Sequence, residues 1–542
     1  MDAFLGVVLI ILPIVLAFVL LMAFHKAADT TGVIVWAVTV AIAVLAFSTD
    51  LGIALVASVA GIVKSFPISL MVATSILMMT YMQETKALPR LIVFFKTLGG
   101  GSRPLQIMLI SLGLGLFLVG IGATPVSMLP PVMLALGFSP LVAVALPAIG
   151  YDPLTTFALL GVPAVVFGDI YQTLDPSVQL WQAGSVFAMY MPIITTGIAL
   201  SMLWIAGGKD LLFNREAGVL AILCGLTAGG VAILANTALV NQTTLTNVFA
   251  GAAVILVLSV YTKARGRPMI DRSVLTEDDL ALKSEMSLGR ASIPWVILVV
   301  LCLVTNIIPP IKDMLFSQLT FPVTIGPYPG TISTRFLWQA YTLMLVSTLI
   351  SMPFLGVKNG VFRRTLKSFS KRAPRPVLAA AIFFAMAEVM KFSGFVTDSS
   401  GTWLSPLDPI NMLDPTNNMV YLLAQVTSSA LGPLYPLTAA FIGLMAGFVS
   451  GSETSAIAMF TDYHFQASTA IGLTGTNAMV VSASNGIGGG LASVLSPAKI
   501  QNAAAVIDEI GIEGQVIRYG AVVAILMTFI TAVLTFFWAF WL

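Results

Sequence analysis

The chain has 542 residues, 58% of them hydrophobic and only 9% charged, with a formal net charge of +2 and a mean hydropathy of +0.98. Soluble domains carry about a quarter charged residues, so the composition excludes a soluble protein and makes the lipid bilayer the expected surrounding. Cys224 and Cys302 both sit in apolar runs and imply no disulfide framework, while two histidines, His25 and His464, exclude a multi-histidine metal centre. No cofactor and no nucleic-acid partner is expected, and the near-balanced net charge by itself says nothing about partners.

Apolar runs long enough to cross a ~30 Å hydrocarbon layer recur from the start of the chain. The first, 3–24, follows Met1 and Asp2 with no basic region and no small-residue cleavage pattern, so a retained helix is expected and not a signal peptide. Further spans are expected near 33–49, 66–84, 139–166, 184–206, 217–237, 246–262, 291–308, 334–355, 376–396, 468–497 and 516–541. Lysine and arginine concentrate in cytoplasmic loops. The segment 358–375 carries Lys358, Arg363, Arg364, Lys367, Lys371, Arg372 and Arg375 with no acid, and the basic loops 86–103, 209–215 and 263–290 join it inside. Segments 167–183 and 397–419 hold Asp169, Asp175, Asp398, Asp408 and Asp414 with no base, and are placed outside. About twelve spans with both termini outside satisfy these anchors, in an all-α polytopic membrane protein, multi-pass in the plasma membrane (a prokaryotic inner membrane).

The threading works on one condition: segments 104–138 and 436–465 must each enter and leave on the same face. Both are broken in the middle, by Gly122-Ala123-Thr124-Pro125 and by Gly451-Ser452-Glu453-Thr454-Ser455. They are expected to be re-entrant hairpins, the first from inside and the second from outside. Irregular backbone at membrane depth is tolerated only against protein or a wet cavity, so the tips mark a cavity.

Each hairpin is followed by an interrupted span. The first has Gly150-Tyr151-Asp152-Pro153 and then Gly161-Val162-Pro163; the second has SASNGIGGGLASVLSP, 482–497. Each is preceded by a span and a short amphipathic piece, 88–98 in one half and 419–430 in the other. The same order of parts with opposite loop charge reads as an inverted repeat, with 1–65 as N-terminal helices, 66–206 as the first repeat, 207–355 as central helices and 376–542 as the second repeat. Interrupted helices at matching positions of two inverted halves point to a transporter's binding site.

Glu453 at membrane depth costs at least ~2.5–3.5 kcal/mol on insertion scales, which favours a coupling or substrate role over a mere cap of the following half-helix. Ser452, Thr454 and Ser455 suit capping and a polar site equally. Asp152 is either a cation or proton site or the cap of a half-helix starting at Pro153. Asn485 with Gly486, Gly488, Gly489 and Gly490 is expected to form permissive backbone with free carbonyls and amides, the alternative being close helix packing, and Ser484 joins them in the candidate substrate site. Lys391 is expected to pair with Glu388 one turn earlier while snorkelling outward, and His464 to be interfacial.

These residues resemble a known family. GSETSAIAMF, 451–460, is similar to the GSDTS-containing hairpin of the L-lactate permease family. SASNGIGGGLASVLSPAK resembles its Asn-x-x-Gly-Gly…Ser-Pro stretch at Asn485, Gly488, Gly489, Ser496 and Pro497. TPV, 124–126, and LGFSPL, 136–141, fit its Ala-Pro-Val and Leu-Gly-Phe-x-Pro-Leu elements, and Lys391-Phe392-Ser393-Gly394 falls at its Tyr-Ser-Gly. The chain departs where that family has a glutamate in the first tip (here 118–122), an Asn-Thr in the first interrupted span (here Tyr151-Asp152), and a lysine after the paired glycines (here Ser493), which marks a divergent member. The resemblance implies proton-coupled transport of lactate or glycolate by an elevator-type movement, and adds Thr124, Pro125, Tyr151 and Ser393 to the candidate substrate site.

The expectation is therefore a secondary active transporter, not an enzyme, carrying a small organic anion such as L-lactate or glycolate with a cation, H⁺ or Na⁺, with a homodimer as the candidate assembly. Glu453 and Asp152 are the candidates for coupling; a carboxylate serves a proton cycle only if burial raises its pKa towards the working pH. The alternatives are a Na⁺-coupled carrier of another anion such as a sulfonate, a channel, or an intramembrane enzyme. Against the last, Phe167-Gly168-Asp169 lacks the first glycine of an aspartyl protease's Gly-x-Gly-Asp, and no His-Glu-x-x-His and no P-loop occur.

Overall fold

The computed structural model describes residues 2–24, 26–99, 102–123, 125–150, 152–355, 360–509 and 511–542. Among them, 11 helices are long and apolar enough to cross a membrane, or 12 if Val361–Arg372 and Pro374–Lys391 form one span bent by 43°. Pro374 accounts for that bend: it has no N–H to give the preceding turn, and its ring crowds the carbonyl there. Four two-residue strands depart from the all-helical expectation, Pro322–Val323 pairing with Ile332–Ser333 and Val396–Thr397 with Trp403–Leu404.

Burial separates the helices into a wrap and a core. In Ala3–Leu21 and Ala28–Ala46 only 28% and 33% of the apolar window is buried, whereas in Arg103–Gly120, Leu154–Leu174 and Gly475–Leu495 the share is 83%, 89% and 100%. The continuous apolar helices face outward, and those rich in glycine, proline and hydroxyls are enclosed, as lipid requires of irregular backbone.

Two segments double back on themselves. Arg103–Gly120 is followed by a turn at Ile121 and Gly122 and then by Pro125–Ala135, and Ser111 Oγ lies 3.8 Å from Met133 Sδ, so the two arms run side by side. Its first arm is 18 residues, about 27 Å at 1.5 Å per residue, which exceeds the half-span expected. The second pair, Pro436–Ser450 and Glu453–Ala470, turns at Gly451, which donates its N–H to the Gly447 carbonyl at 2.8 Å and then leaves the helix through a left-handed φ of +68°.

The helices that follow are interrupted. Pro140–Gly150 gives way to a 3₁₀ turn, Asp152–Phe157, and Ala158–Leu174 begins with positive φ at Leu159, Leu160 and Gly161. In the second half the interruption lies later than expected. Gly475–Leu491 is helical through Asn485 and the glycines; the break comes at Ser493–Leu495 and extended Ser496, before Pro497–Val506. The glycines serve close approach instead: a Cβ on Gly488 would run into the Ala440 carbonyl, and one on Gly447 into the Gly489 backbone. Helix packing among small residues therefore accounts for the Gly-rich run, which corrects the expectation of unwound backbone.

Other expectations need correction. Leu51–Lys64, a 14-residue helix, falls where no span was expected. Its Lys64 Nζ meets Glu388 Oε1 at 2.7 Å while Tyr328 donates to Glu388 Oε2 at 2.7 Å, so Glu388 does not pair with Lys391, whose Nζ lies 3.7 Å from Asp462 Oδ2. Buried Glu388 is held by direct partners from other elements, which outweigh a pair along its own helix worth only a few tenths of a kcal/mol. His464 is fully buried, not interfacial, with Tyr435 OH 2.6 Å from Nδ1.

Residues 66–212 and 374–541 both run through a helix, a short helix, a doubled-back pair, an interrupted helix and a long helix, with one additional helix, Leu180–Ala188, before the long one in the first. They also exchange arms. Ala158–Leu174, which follows the first break, packs on Glu453–Ala470 of the second pair, and Pro497–Val506, which follows the second break, packs on Pro125–Ala135 of the first.

Candidate functional site

This exchange brings both turns and both breaks to one cavity of about 1670 Å³. Its walls include Gly122 and Val126 from the first turn, Thr155, Leu159 and Pro163 from the first break, 450–454 from the second turn, and Ser493, Ser496 and Lys499 from the second break. Exposed Lys26, Arg372 and Arg375 line the cavity as well.

The second turn is built by local rules. Gly451 ends one helix, and Ser452 starts the next, its hydroxyl accepting the Ser455 N–H at 3.3 Å. Ser450 Oγ donates to the Ala446 carbonyl at 2.8 Å and accepts the Ser452 N–H at 3.3 Å. Capping thus falls to Ser452, which leaves the Glu453 carboxylate for other partners. Thr156 Oγ1 donates to Glu453 Oε1 at 2.5 Å, joining the second turn to the first break. Glu453 Oε2 is buried with no hydrogen-bond partner among the described residues. Gly490 makes room for it: a Cβ there would come within 2.6 Å of Oε2 and 2.9 Å of Thr155 Oγ1. A buried carboxylate with one oxygen unsatisfied is costly, so the arrangement suits a group that exchanges partners.

Of the candidates read from sequence, Ser452, Glu453 and Thr454 line the cavity. Ser455 is buried beside them, its hydroxyl without a partner among the described residues, and Gly489 packs against Glu453 and Ala456. Asn485 is buried mid-helix, where Nδ2 donates to the Ala456 carbonyl at 3.1 Å and Oδ1 has no partner among the described residues. Ser484 bonds its own helix at Val481, Gly486 packs on Phe187 and Ile457, and Gly488 on Ala440. Pro125 opens the second arm of the first pair. Ser393 lies elsewhere: its hydroxyl donates to the Met390 carbonyl and accepts the Met419 N–H at 2.7 Å, tying a helix end to the next helix. Thr124, Tyr151 and the side chain of Asp152 lie outside the described residues.

The sequence reading passed over Thr155, Thr156 and Lys499. The hydroxyl pair directly follows Asp152-Pro153 inside the first break, and Lys499 stands two residues after Pro497, with Nζ 2.9 Å from Ser493 Oγ. A polar pair inside one break and a lone cation just past the other were the available signals.

A cavity walled by paired turns and breaks, within a shell of apolar helices, defines a polytopic helical membrane protein with an internal site. The chain belongs to the L-lactate permease family, whose family model matches residues 6–542. It is 24% identical to the glycolate permease of Escherichia coli (strain K12), over 98% of this chain and 95% of that protein. It is 23% identical to the L-lactate permease of Escherichia coli (strain K12), over 80% and 77% of the two chains, and 21% identical to the L-lactate permease of Streptococcus iniae, over 67% and 69%. These relatives are permeases, not enzymes.

Proposed function

We propose that the protein is a secondary active transporter that carries a small monocarboxylate, L-lactate or glycolate, across a bacterial inner membrane together with protons. The observation that carries this reading is Glu453: a carboxylate buried at a helix turn, facing a cavity, with one oxygen held by Thr156 and the other unsatisfied among the described residues. The names of the relatives, glycolate permease and L-lactate permease, supply the substrate class.

In this reading the doubled-back pairs are re-entrant hairpins, and the two halves form an inverted repeat. The reciprocal exchange of arms supports this, since a two-fold relation between halves carries each of these contacts into the other. With both termini outside, Lys26, Arg372 and Arg375 lie on the cytoplasmic side, so the cavity opens inward. Elevator-type movement of the hairpins and broken helices against the apolar shell would then expose the same site outward. The hydroxyls of Ser452 and Thr454 serve the substrate, and Asp152 is a second candidate for coupling.

Charged groups on elements packed around Glu453 are few. Asp169 is held by Arg335 at 2.9 Å, Lys391 lies 3.7 Å from Asp462, and Lys499 lines the same cavity as Glu453. Radiolabelled L-lactate and glycolate uptake into proteoliposomes, before and after an inward proton gradient is collapsed, tests the reading. Saturable uptake that falls when the gradient collapses is expected; no uptake of either anion by folded protein would refute it.

A further inference from the structure

Away from the turns and breaks, the helix Val361–Arg372 has a composition unlike the rest of the shell. Five of its 12 residues are basic and none is acidic. A stretch so charged does not lie in hydrocarbon, where each lysine or arginine is costly. The helix bent against it, Pro374–Lys391, has 18 residues and is about 27 Å long at 1.5 Å per residue, close to the ~30 Å layer by itself. The bent pair therefore divides into one span and one helix at the membrane's edge, set at 43° to each other.

The side chains of Val361–Arg372 sort into three strips, because residues three and four apart share a helix face. Val361 and Thr365 are buried, and the helix packs on Phe66–Glu84. Arg364 Nε meets Glu84 Oε2 at 2.8 Å, and Arg372 Nη1 lies 3.4 Å from Gln83 Oε1. Beside that strip Phe362 and Leu366 are 45% and 42% exposed, with half-buried Phe369 in line with them. Arg363, Lys367 and Lys371 form the third strip. They are exposed, and their side chains make no hydrogen bond or ion pair among the described residues. The helices before and after, Ala340–Leu355 and Pro374–Lys391, expose Phe354 and Leu378 near the ends that adjoin this one in the chain.

Water suits the bases but not the neighbouring phenyl and leucyl groups; the surface of a bilayer suits both. We infer that Val361–Arg372 is a docking surface for anionic phospholipid. Phe362, Leu366 and Phe369 enter the acyl boundary, while Arg363, Lys367 and Lys371 hold headgroup phosphates through charge-assisted hydrogen bonds. A zwitterionic headgroup carries its own ammonium, which offsets the attraction, so a row of unpaired cations selects lipids with net negative charge. Through the Glu84 and Gln83 contacts, bound lipid fastens the end of Phe66–Glu84 to the membrane surface and stabilises the protein. Lipid binding here is independent of which anion is carried.

The test is the thermal stability of the purified full chain in neutral detergent, titrated with phosphatidylglycerol, with phosphatidylcholine of the same acyl chains, or with inorganic phosphate. Phosphatidylglycerol should raise the melting temperature of wild type, and neither of the others should. The triple variant Arg363→Gln/Lys367→Gln/Lys371→Gln should melt like wild type without lipid. It should need roughly tenfold to hundredfold more phosphatidylglycerol for the same rise. A control, Arg272→Gln/Lys283→Gln, removes two exposed bases of another loop and should respond as wild type does. An equal rise with phosphatidylcholine or with phosphate overturns the inference, as does a wild-type response in the triple variant or an equal loss in the control. Should the triple variant fail to fold, wild type decides. Raising the salt to about 0.5 M should weaken the phosphatidylglycerol effect severalfold, and a rise indifferent to salt overturns the inference.

Discussion

At the scale of single residues, polar atoms enclosed by protein set what the site can hold. Glu453 shares its carboxylate with Thr156 and keeps one oxygen unsatisfied among the described residues. Asn485 ties its helix to the arm that follows Glu453 through the Ala456 carbonyl, an interaction of about 0.5–1.5 kcal/mol. Asn485→Ala should therefore leave expression and melting temperature nearly unchanged while abolishing uptake, because the arm behind Glu453 loses its tether; uptake at the wild-type rate would remove Asn485 from the site. Glu453 was legible in the sequence, since a lone acid amid apolar residues has few bland explanations. Thr156 and Lys499 were not, because a hydroxyl or a lysine gains its meaning from what lies across the cavity, 297 residues away along the chain for Thr156 and Glu453. His464 was misplaced for the same reason: its burial comes from Tyr435 and the surrounding helices, not from its neighbours in sequence.

At the scale of elements, local chemistry announced the breaks but not their extent. Gly451 and Ser452 form the turn that their residue types suggest, and Gly161 takes the positive φ that a kink there needs. Asn485 and its glycines look equally permissive, yet they remain helical because Pro436–Ser450 packs against them closely enough to exclude side chains. Gly443→Ala should accordingly lower stability by about 1–3 kcal/mol, since its Cβ would strike the Asn485 carbonyl, whereas Gly230→Ala, with nothing within 4 Å of the added carbon, should be neutral. Melting temperatures in detergent decide this, and equal values for the two variants would refute the packing assignment. Leu51–Lys64 escaped the reading because 14 residues fall short of a span, and its role comes from Lys64 meeting Glu388 in another part of the chain.

At the scale of the whole molecule, the order of parts in the two halves could be read in advance, and the exchange of arms between them could not, because no local signal encodes which distant helix an arm packs against. That exchange puts the turns and breaks of both segments around one cavity and joins the carboxylate at the second turn to Thr156 in the first break. We propose that Glu453 carries the proton that drives uptake. The measurement that tests it most directly compares wild type and Glu453→Gln in proteoliposomes, reading proton-driven accumulation of L-lactate beside exchange of internal for external lactate. The account predicts that Glu453→Gln loses accumulation while retaining exchange, because the amide keeps the neutral, loaded state of the site but cannot release a proton. Accumulation at the wild-type level in Glu453→Gln would contradict it.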